Sequence, residues 1–234
     1  MERERPKLSV IAIARHDAEV EDLKRALKTQ SFTDFEFVYS TRGTIPQAWN
    51  DAVSRARGEF LVFMESDAAP LNENWLSEIA RVARKGAVLK GLEVRPFDLD
   101  MSNLICDAEI FANRRFDESF KTVEDSELFA RLRTQGVEIE FVETIPIVHS
   151  PTRTWHKTLS RAFGNGVSYS RLVYMYGIQN IDTVNTQFRT MNRINPISNR
   201  LRIIVENILL LLGLAIGAVA YLPSFIVHRR SRKR

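Results

Sequence analysis

The sequence predicts an α/β fold in which a mostly parallel, Rossmann-like sheet is flanked by helices and followed by further C-terminal helices. Segments with strand and helix periodicity alternate over residues 7–150, as in chains that build a parallel sheet. The apolar run Phe60–Met64 is unbroken, which is typical of a strand buried on both faces. Glu65 and Asp67 follow this strand directly, at the sheet edge where open α/β folds bind ligands.

The elements of this domain follow from the periodicity of the chain. The apolar, β-branched stretch Lys7–Ala14 predicts the first strand, and the spacing of Val20, Leu23 and Leu27 predicts the first helix. Met101–Asn113 is ambiguous, and we interpret it as an extended segment under the site. The other predicted elements are a strand over Phe35–Tyr39, a helix over Gln47–Arg57, the strand at Phe60–Met64, a helix after Asn74, a strand over Ala87–Val94, a helix over Val123–Gln135 and a strand over Val137–Val142.

Charge is distributed unevenly along the 234 residues. The formal net charge is +4, but residues 151–234 carry 13 basic and two acidic residues, whereas residues 1–150 carry 20 basic and 27 acidic residues. The C-terminal third therefore suits an anionic partner, either lipid headgroups or nucleic acid. The single cysteine, Cys106, excludes an intrachain disulfide and is consistent with a reducing compartment.

The uncharged stretch 208–227 favours a membrane over nucleic acid. Its 20 residues are long enough to cross a hydrocarbon core of about 30 Å as a helix, and basic residues flank both ends. We therefore predict a transmembrane helix over 203–228 and a basic tail over 229–234. A buried core helix is the alternative. Pro223, with Gly213 and Gly217, also permits a re-entrant, monotopic hairpin.

Residues 151–202 are predicted to form a basic, membrane-proximal segment. Over Trp155–Tyr176 an aromatic and aliphatic face lies opposite a basic face, as in helices that lie among lipid headgroups. An ordinary packing helix with a solvated face explains this pattern equally well. The basic residues do not alternate with aromatic residues in the predicted strands, so we expect no nucleic-acid partner.

Two pairs of acids carry the chemistry that the sequence indicates. Glu65 and Asp67 are oxygen donors that suit a hard divalent cation, and such a cation could hold a diphosphate. Glu124 and Asp125 open a predicted helix, where carboxylates also stabilise the helix dipole without any catalytic role. Taken alone, each pair is also explained as solvated acids at the end of an element.

The order of these segments resembles the family 2 inverting glycosyltransferases of the GT-A fold. The resemblance covers about residues 7–150 and depends on the acidic triplet and the second acid pair at their observed separation. The segments that carry it are Ala14-Arg15, Thr41-Arg42-Gly43, Phe63-Met64-Glu65-Ser66-Asp67, Phe116-Asp117-Glu118 and Val123-Glu124-Asp125-Ser126-Glu127-Leu128 with Arg131-Leu132.

This resemblance implies a role for each matching residue. Asp67 and Glu65 match the acids that hold a Mg²⁺ or Mn²⁺ ion on the donor diphosphate, and His149 matches a histidine that can join the metal site. Asp125 matches the catalytic base, with Glu124 beside it. The predicted nucleotide-sugar contacts are Ala14, Arg15, Arg42, Asn50 and Ser66.

The chain departs from the family pattern at two positions. The second strand of the family ends in aspartates that hold the base and ribose, whereas Thr41-Arg42 stand here. The first acid of the triplet is Glu65 rather than aspartate, which lengthens its reach by one methylene. Both departures bear on the identity of the nucleotide and on metal affinity.

The resemblance and the C-terminal third together predict the reaction. We expect an inverting, hexosyl-type transfer from a nucleotide-sugar donor to a hydroxyl of a lipid-linked glycan or glycolipid, at a membrane, with the catalytic domain (residues 1–150) on its cytosolic face. Two alternatives remain open. One is a polyprenyl-phosphate sugar synthase, whose acceptor needs no base, and the other is a membrane-anchored nucleotide-sugar-binding protein without catalysis.

Overall fold

The computed structural model describes residues 5–93, 100–149, 155–181 and 208–221 of the chain. The chain divides into two compact units. The first unit comprises Met1–Lys121 and Gln135–Thr152, and the second comprises Thr122–Thr134 and Arg153–Arg234. The predicted domain over residues 1–150 thus differs from the first unit, because the helix that carries Asp125 groups with the C-terminal part of the chain.

A seven-stranded sheet forms the centre of the first unit, with strand order β2-β1-β3-β6-β5-β7-β4. Its strands are β1 (Leu8–Ile13), β2 (Phe35–Ser40), β3 (Phe60–Glu65), β4 (Ala68–Pro70), β5 (Val88–Glu93), β6 (Leu104–Asp107) and β7 (Ile139–His149).

The sheet is mixed, so the prediction of a mostly parallel sheet is wrong for half of its strand pairs. The pairs β1–β2, β1–β3 and β5–β7 are parallel, whereas β3–β6, β5–β6 and β4–β7 are antiparallel. Strand β6 lies within Met101–Asn113, which was predicted only as an extended segment without a strand partner. Only ten residues, 94–103, separate β5 from β6 along the chain, whereas a parallel neighbour would require a crossover of a dozen or more residues, usually helical.

Helices cover both faces of the sheet, as predicted. The helices of this unit are α1 (Glu21–Lys28), α2 (Ile45–Arg55), α3 (Trp75–Val82) and α4 (Ala108–Ala112), with a 3₁₀ turn at Asp17–Val20 before α1. Successive strand residues point to opposite faces, so Val62 joins the core with Leu23 of α1 and Ile79 of α3. On the opposite face, Phe63 packs edge-on against Trp49 of α2, with ring centroids 5.4 Å apart.

The start of α2 is set by a polar cap that the sequence analysis missed. The helix begins two residues before the predicted Gln47, because the Gln47 side chain accepts a hydrogen bond of 2.9 Å from the Thr44 backbone nitrogen. Pro46 in the first turn also favours a helix start there, since its fixed φ matches the helix and no hydrogen bond is lost.

The second unit is helical in the residues that the structure describes. Its helices are α5 (Glu124–Thr134), α6 (Trp155–Tyr176) and α7 (208–221), with a 3₁₀ turn at Ile178–Asn180. The prediction of a helix over Trp155–Tyr176 is confirmed.

Within the described ranges, no helix is both long enough and apolar enough to cross a membrane. The predicted transmembrane helix over 203–228 therefore finds no support there. Only residues 208–221 of that range are described, and they are helical. The basic tail over 229–234 lies outside the described residues.

A partly buried polar cluster joins the first three strands at their N-terminal ends. Ser9 Oγ donates 2.7 Å to Glu36 Oε1 and accepts from the Gly58 nitrogen at 2.7 Å, and the Arg57 guanidinium donates to Glu36 Oε2 at 2.9 Å. A Cβ on Gly58 would lie 2.6 Å from Ser9 Oγ, so only glycine allows this approach. Burial raises the pKa of Glu36, but the hydrogen bonds from Ser9 and Arg57 and the charge of Arg57 outweigh it and hold that pKa below its usual value.

We predict that Glu36→Gln removes an acid-sensitive part of the stability. Because the folded pKa of Glu36 is depressed, its contribution is complete above the unfolded value of about 4.3 and is lost as pH falls through the folded value. Urea unfolding at neutral pH should show a loss of about 1–2 kcal/mol in the variant. The difference between variant and wild type should shrink below about pH 4. A difference that stays constant down to pH 3 would contradict this account.

Candidate functional site

The carboxyl ends of three strands lie side by side in the first unit. In the parallel register Ile13 of β1 is level with Ser40 of β2 and with Glu65 of β3. Ala14 continues this alignment, because its nitrogen donates 3.0 Å to the Ser40 carbonyl. The structure thus brings the predicted site residues that follow these three strands to one edge of the sheet, where α/β folds bind ligands.

Both predicted arginines at this edge are exposed. The Arg15 side chain is 76% exposed and its Nε donates 2.7 Å to Glu19 Oε1. The Arg42 side chain is 82% exposed, and its Nη1 lies 3.6 Å from Asp51 Oδ1. Exposed ion pairs of this kind exchange partners at low cost, so both guanidinium groups can turn to an anionic ligand.

Asp51 places a carboxylate at the end of β2 that the sequence analysis missed. The strand ends at Ser40 and is followed by Thr41 rather than by aspartates, but Asp51 of α2 accepts a hydrogen bond from the Ser40 side chain. That bond is the largest influence on Asp51, and with Arg55 and Arg42 it lowers the pKa of the carboxyl below its usual value. The signal for Asp51 in the sequence was the short distance between β2 and α2. The first turns of a helix that follows a strand so closely pack back on that strand.

The acidic triplet forms the end of β3 and the turn that follows. Glu65 is the last residue of β3 and is half-buried, and Ser66 and Asp67 form the turn to β4, with Asp67 exposed. The Glu65 nitrogen donates 3.2 Å to Ser102 Oγ, which ties this turn to the segment before β6.

The antiparallel pairing of β4 with β7 brings the backbone of His149 to the same turn. His149 is level with Ala68, the residue that follows Asp67. The His149 side chain lies outside the described residues. Among the side chains that are described, no group of three or more His, Cys, Asp or Glu residues is arranged to hold a metal ion.

The segment 100–103 supports the acidic turn through the bond between Ser102 and the Glu65 nitrogen. It overlaps Met101–Asn113, which was predicted only as an extended segment. Lys90 of β5 is fully buried, and its Nζ donates 2.8 Å to Asp100 Oδ1 and also to the Ser102 carbonyl. Asp100 Oδ1 accepts in turn from the Ser102 nitrogen at 2.9 Å. The signal in the sequence was Lys90 itself, since a lysine within an apolar strand needs a buried partner.

Asn103 fixes the other end of this segment. It is fully buried with φ = 55°, in the left-handed region that asparagine tolerates. Its Nδ2 donates 2.6 Å to the Ile145 carbonyl, its Oδ1 accepts 3.1 Å from Trp75 Nε1, and its carbonyl accepts 2.9 Å from the Gly91 nitrogen. One residue thus connects α3, β5 and β7 next to the acidic turn.

Asn50 lies beneath the strand ends with its amide fully engaged. Its Nδ2 donates 3.0 Å to the Phe116 carbonyl and 2.9 Å to Glu118 Oε1, and its Oδ1 accepts 2.9 Å from the Phe116 nitrogen. Asn50 is 7% exposed. The Asn50 amide therefore pairs with both the nitrogen and the carbonyl of Phe116, as a neighbouring β-strand would, and holds the Phe116-Asp117-Glu118 segment in place.

Glu124 and Asp125 form the first turn of α5 in the second unit, where the sequence predicted a helix start. Glu124 is buried and Asp125 is half-buried. Asp125 Oδ1 accepts 2.6 Å from the Ser126 nitrogen, so one carboxylate oxygen is oriented by the backbone of its own helix.

The residue before this turn has an unusual backbone. Val123 has φ = 57°, a conformation that is rare for a β-branched residue, and it is 5% exposed. Strain of about 1–3 kcal/mol at such a position persists only where the surrounding structure enforces it, and it clusters at functional sites. The start of α5 is therefore a candidate functional position on backbone grounds also.

Polar contacts join α5 to α6 within the second unit. Glu127, 1% exposed, accepts 2.8 Å from Arg131 Nε and 2.6 Å from the Tyr176 hydroxyl. Ser126 Oγ and the Tyr169 hydroxyl lie 3.2 Å apart. These bonds explain why α5 groups with the C-terminal part of the chain.

Comparison with solved structures gives a consistent fold. The chain is similar to a mannosyltransferase of Pyrobaculum calidifontis solved with GDP-Man and Mn²⁺, at TM-score 0.57 and 15% identity over 98% of this chain and 80% of that one. It is also similar to S. aureus TarS residues 1–349 solved with UDP-GlcNAc, at TM-score 0.55 and 14% identity over 84% of this chain and 70% of that one. The chain has a GT-A-type fold.

Sequence comparison adds no further relative. No family model matches the chain, and no curated protein matches it. At 15% identity or below, the likeness to the solved structures establishes the fold only. The reaction has to be inferred from the residues of the site.

We predict that Asn103→Ala lowers the free energy of unfolding by about 3 kcal/mol or more. The substitution leaves the buried Trp75 Nε1 and Ile145 carbonyl without their partner and places alanine at positive φ. Asn113→Ala is the matched control, because Asn113 is exposed at the end of α4, and it should change the stability by less than about 0.5 kcal/mol. Equal losses in urea unfolding of the two variants would show that the Asn103 network is not structural.

Proposed function

We propose that this protein is a nucleotide-sugar-dependent glycosyltransferase that transfers a hexose with inversion. The observation that carries the proposal is the register of β1, β2 and β3, which aligns Ala14, the end of β2 and the acidic turn at one edge of a GT-A-type sheet. The two similar structures support it, because one was solved with GDP-Man and Mn²⁺ and the other with UDP-GlcNAc.

The strand ends supply the groups that a nucleotide diphosphate requires. Ala14 presents backbone beside Ser40, and the exposed guanidinium groups of Arg15 and Arg42 can pair with phosphate oxygens. Ser66 lies in the turn after β3 and adds a hydroxyl donor. In this proposal Asn50 acts on the donor indirectly, by holding the segment that follows Phe116.

Glu65 and Asp67 are the proposed ligands of a divalent cation, with His149 as a third. The donor chemistry fits, because carboxylates are the ligands that Mg²⁺ and Mn²⁺ prefer, and His149 is level with the residue after Asp67. When bound, such an ion would supply charge neutralisation on the departing diphosphate. The hydrogen bond from the Glu65 nitrogen to Ser102 Oγ and the ion pair of Lys90 with Asp100 keep this turn in one conformation.

Asp125 is the proposed base, assisted by the neighbouring Glu124. The carboxylate of Asp125 takes the proton from the acceptor hydroxyl while that oxygen forms its bond to the anomeric carbon. The bond between the anomeric carbon and the diphosphate oxygen breaks, and its electron pair leaves with the nucleoside diphosphate. Attack on the face opposite the leaving group inverts the anomeric centre.

The acceptor that we propose is a hydroxyl of a lipid-linked glycan or glycolipid. The support is in the C-terminal third, where 13 basic residues accompany two acids and an uncharged stretch covers 208–227. An enzyme held at an anionic membrane surface meets acceptors that cannot leave that surface, and the catalytic domain would then lie on the cytosolic face, where nucleotide sugars are made.

We predict that Asp67→Asn abolishes metal-dependent donor binding. A thermal-shift screen of nucleotide sugars with and without Mn²⁺ should reveal a donor that raises the melting temperature only with metal, because binding stabilises the folded state alone. The shift should disappear in Asp67→Asn and with a chelator. Asp22→Asn is the matched control, since Asp22 is an 83% exposed acid of α1, and it should retain the full shift. A donor shift of equal size without metal would contradict the proposed site.

We predict that Asp125→Asn lowers kcat by about 10²–10⁴-fold while donor binding persists, because the variant cannot take up the proton. Product formation from the donor identified in the screen measures the rate, and Asp22→Asn is again the control. Unchanged turnover in Asp125→Asn would instead favour the synthase alternative, in which the acceptor is a lipid phosphate that needs no base.

A further inference from the structure

Two helices of the second unit, α6 and α7, pack with their backbones in near contact. Ser170 Oγ of α6 donates 2.7 Å to the Leu214 carbonyl of α7. A Cβ on Gly217 would lie 2.6 Å from Ser170 Oγ, and one on Gly166 would lie 2.9 Å from the Leu214 nitrogen. One on Gly213 would lie 3.1 Å from the Gly166 Cα. Neither helix can carry a larger side chain at these positions without separation of the pair.

The small residues occur four positions apart on both helices. Gly166 and Ser170 of α6 face Gly213 and Gly217 of α7. This spacing is the one through which helices pack closely in lipid, where water does not drive large apolar side chains together and backbone contact supplies the attraction. A helix pair stabilised by the hydrophobic effect in water would instead bury its leucines and isoleucines against each other.

Five large apolar side chains of α7 are exposed instead. Residues 208–221 contain no charged side chain. The exposed side chains are Ile208 at 51%, Leu211 at 53%, Leu212 at 51%, Ile216 at 55% and Val219 at 69%. Their extent on one short helix exceeds the scattered apolar exposure of ordinary surfaces, and such a face is typical of a surface that contacts an apolar partner.

The charge of the surrounding chain identifies that partner. The segment 151–234 carries 13 basic residues against two acids, and five of the basic residues lie in 229–234, a few residues after the uncharged stretch. An apolar face flanked by cationic residues matches the two layers of an anionic bilayer surface, with hydrocarbon inside and phosphate outside. The same basic segment, 151–234, of a second copy would repel it.

We propose that the exposed face of α7 is a lipid-binding surface that enters the hydrocarbon of an anionic bilayer. Helix α6 packs through Gly166 and Ser170 against Gly213 and Gly217 of α7. Lipid binding by this surface is an activity separate from the transfer reaction. Only its consequence, access to a lipid-linked acceptor, rests on the proposed function.

Vesicle flotation of the full-length protein tests this surface. The probes are vesicles of phosphatidylcholine alone and of phosphatidylcholine with phosphatidylglycerol. We expect binding to the mixed vesicles that is weakened more than about tenfold by Leu212→Glu with Ile216→Glu, since a charge in hydrocarbon is costly. The matched control is Leu71→Glu with Phe141→Glu, which changes two residues of the first unit that are 50% and 53% exposed and should float as wild type does.

Three outcomes would overturn the proposal. They are equal flotation of both double variants, absence of wild-type binding to the mixed vesicles, and light scattering that shows a dimer which the α7 variant dissociates and which does not bind lipid. Circular dichroism checks that the variants are folded, as expected for substitutions at exposed positions. The donor thermal shift with Mn²⁺ is measured on the same variants, so failure of the lipid surface and failure of the transferase are separate results.

Discussion

The in-register parallel pairing of β1 with β2 on one side and β3 on the other is the constraint on which the candidate site depends. Because Ile13, Ser40 and Glu65 are level, the residues that follow them leave the sheet at one edge. A slip of one residue in either pairing would turn every side chain of that strand to the other face and remove the acidic turn from this edge. The Ser9, Glu36 and Gly58 contacts at the opposite ends of the same strands secure this register.

Buried polar groups then shape the turn that the register has placed. Lys90 and Asn103 are fully buried, and their hydrogen bonds fix the segment 100–103 from which Ser102 reaches the Glu65 nitrogen. Such groups destabilise a fold unless each is satisfied, so they occur where a single conformation is required. In the second unit, the bonds of Glu127 to Arg131 and Tyr176 give α5 a comparable support.

Local patterns in the sequence were sufficient for most elements and for the acidic turn. The apolar run Phe60–Met64 is unbroken and the apolar residues of α5 and α6 have helical spacing, and these elements lie where they were predicted. The strand β6 and the antiparallel half of the sheet could not be predicted, because strand direction depends on pairing partners far along the chain. Asn103 was missed for the same reason, since its contacts with Trp75 and Ile145 join segments distant in sequence. Asp51 was missed although its partners Ser40, Arg42 and Arg55 lie close to it in sequence. The membrane helix was predicted from composition alone. The structure adds which side chains of α7 are exposed and which of its glycines pack against α6.

The central claim is that the turn after β3 is the cation site of the first unit. Amide line broadening by Mn²⁺ in the ¹⁵N-labelled protein measures this directly, because the paramagnetic ion broadens only nearby signals. At low Mn²⁺ the signals of Glu65, Ser66 and Asp67 should broaden first, while those of Glu21 and Asp22, an exposed acid pair on α1, stay sharp. Broadening at Glu21 and Asp22 with sharp signals at residues 65–67 would contradict the claim.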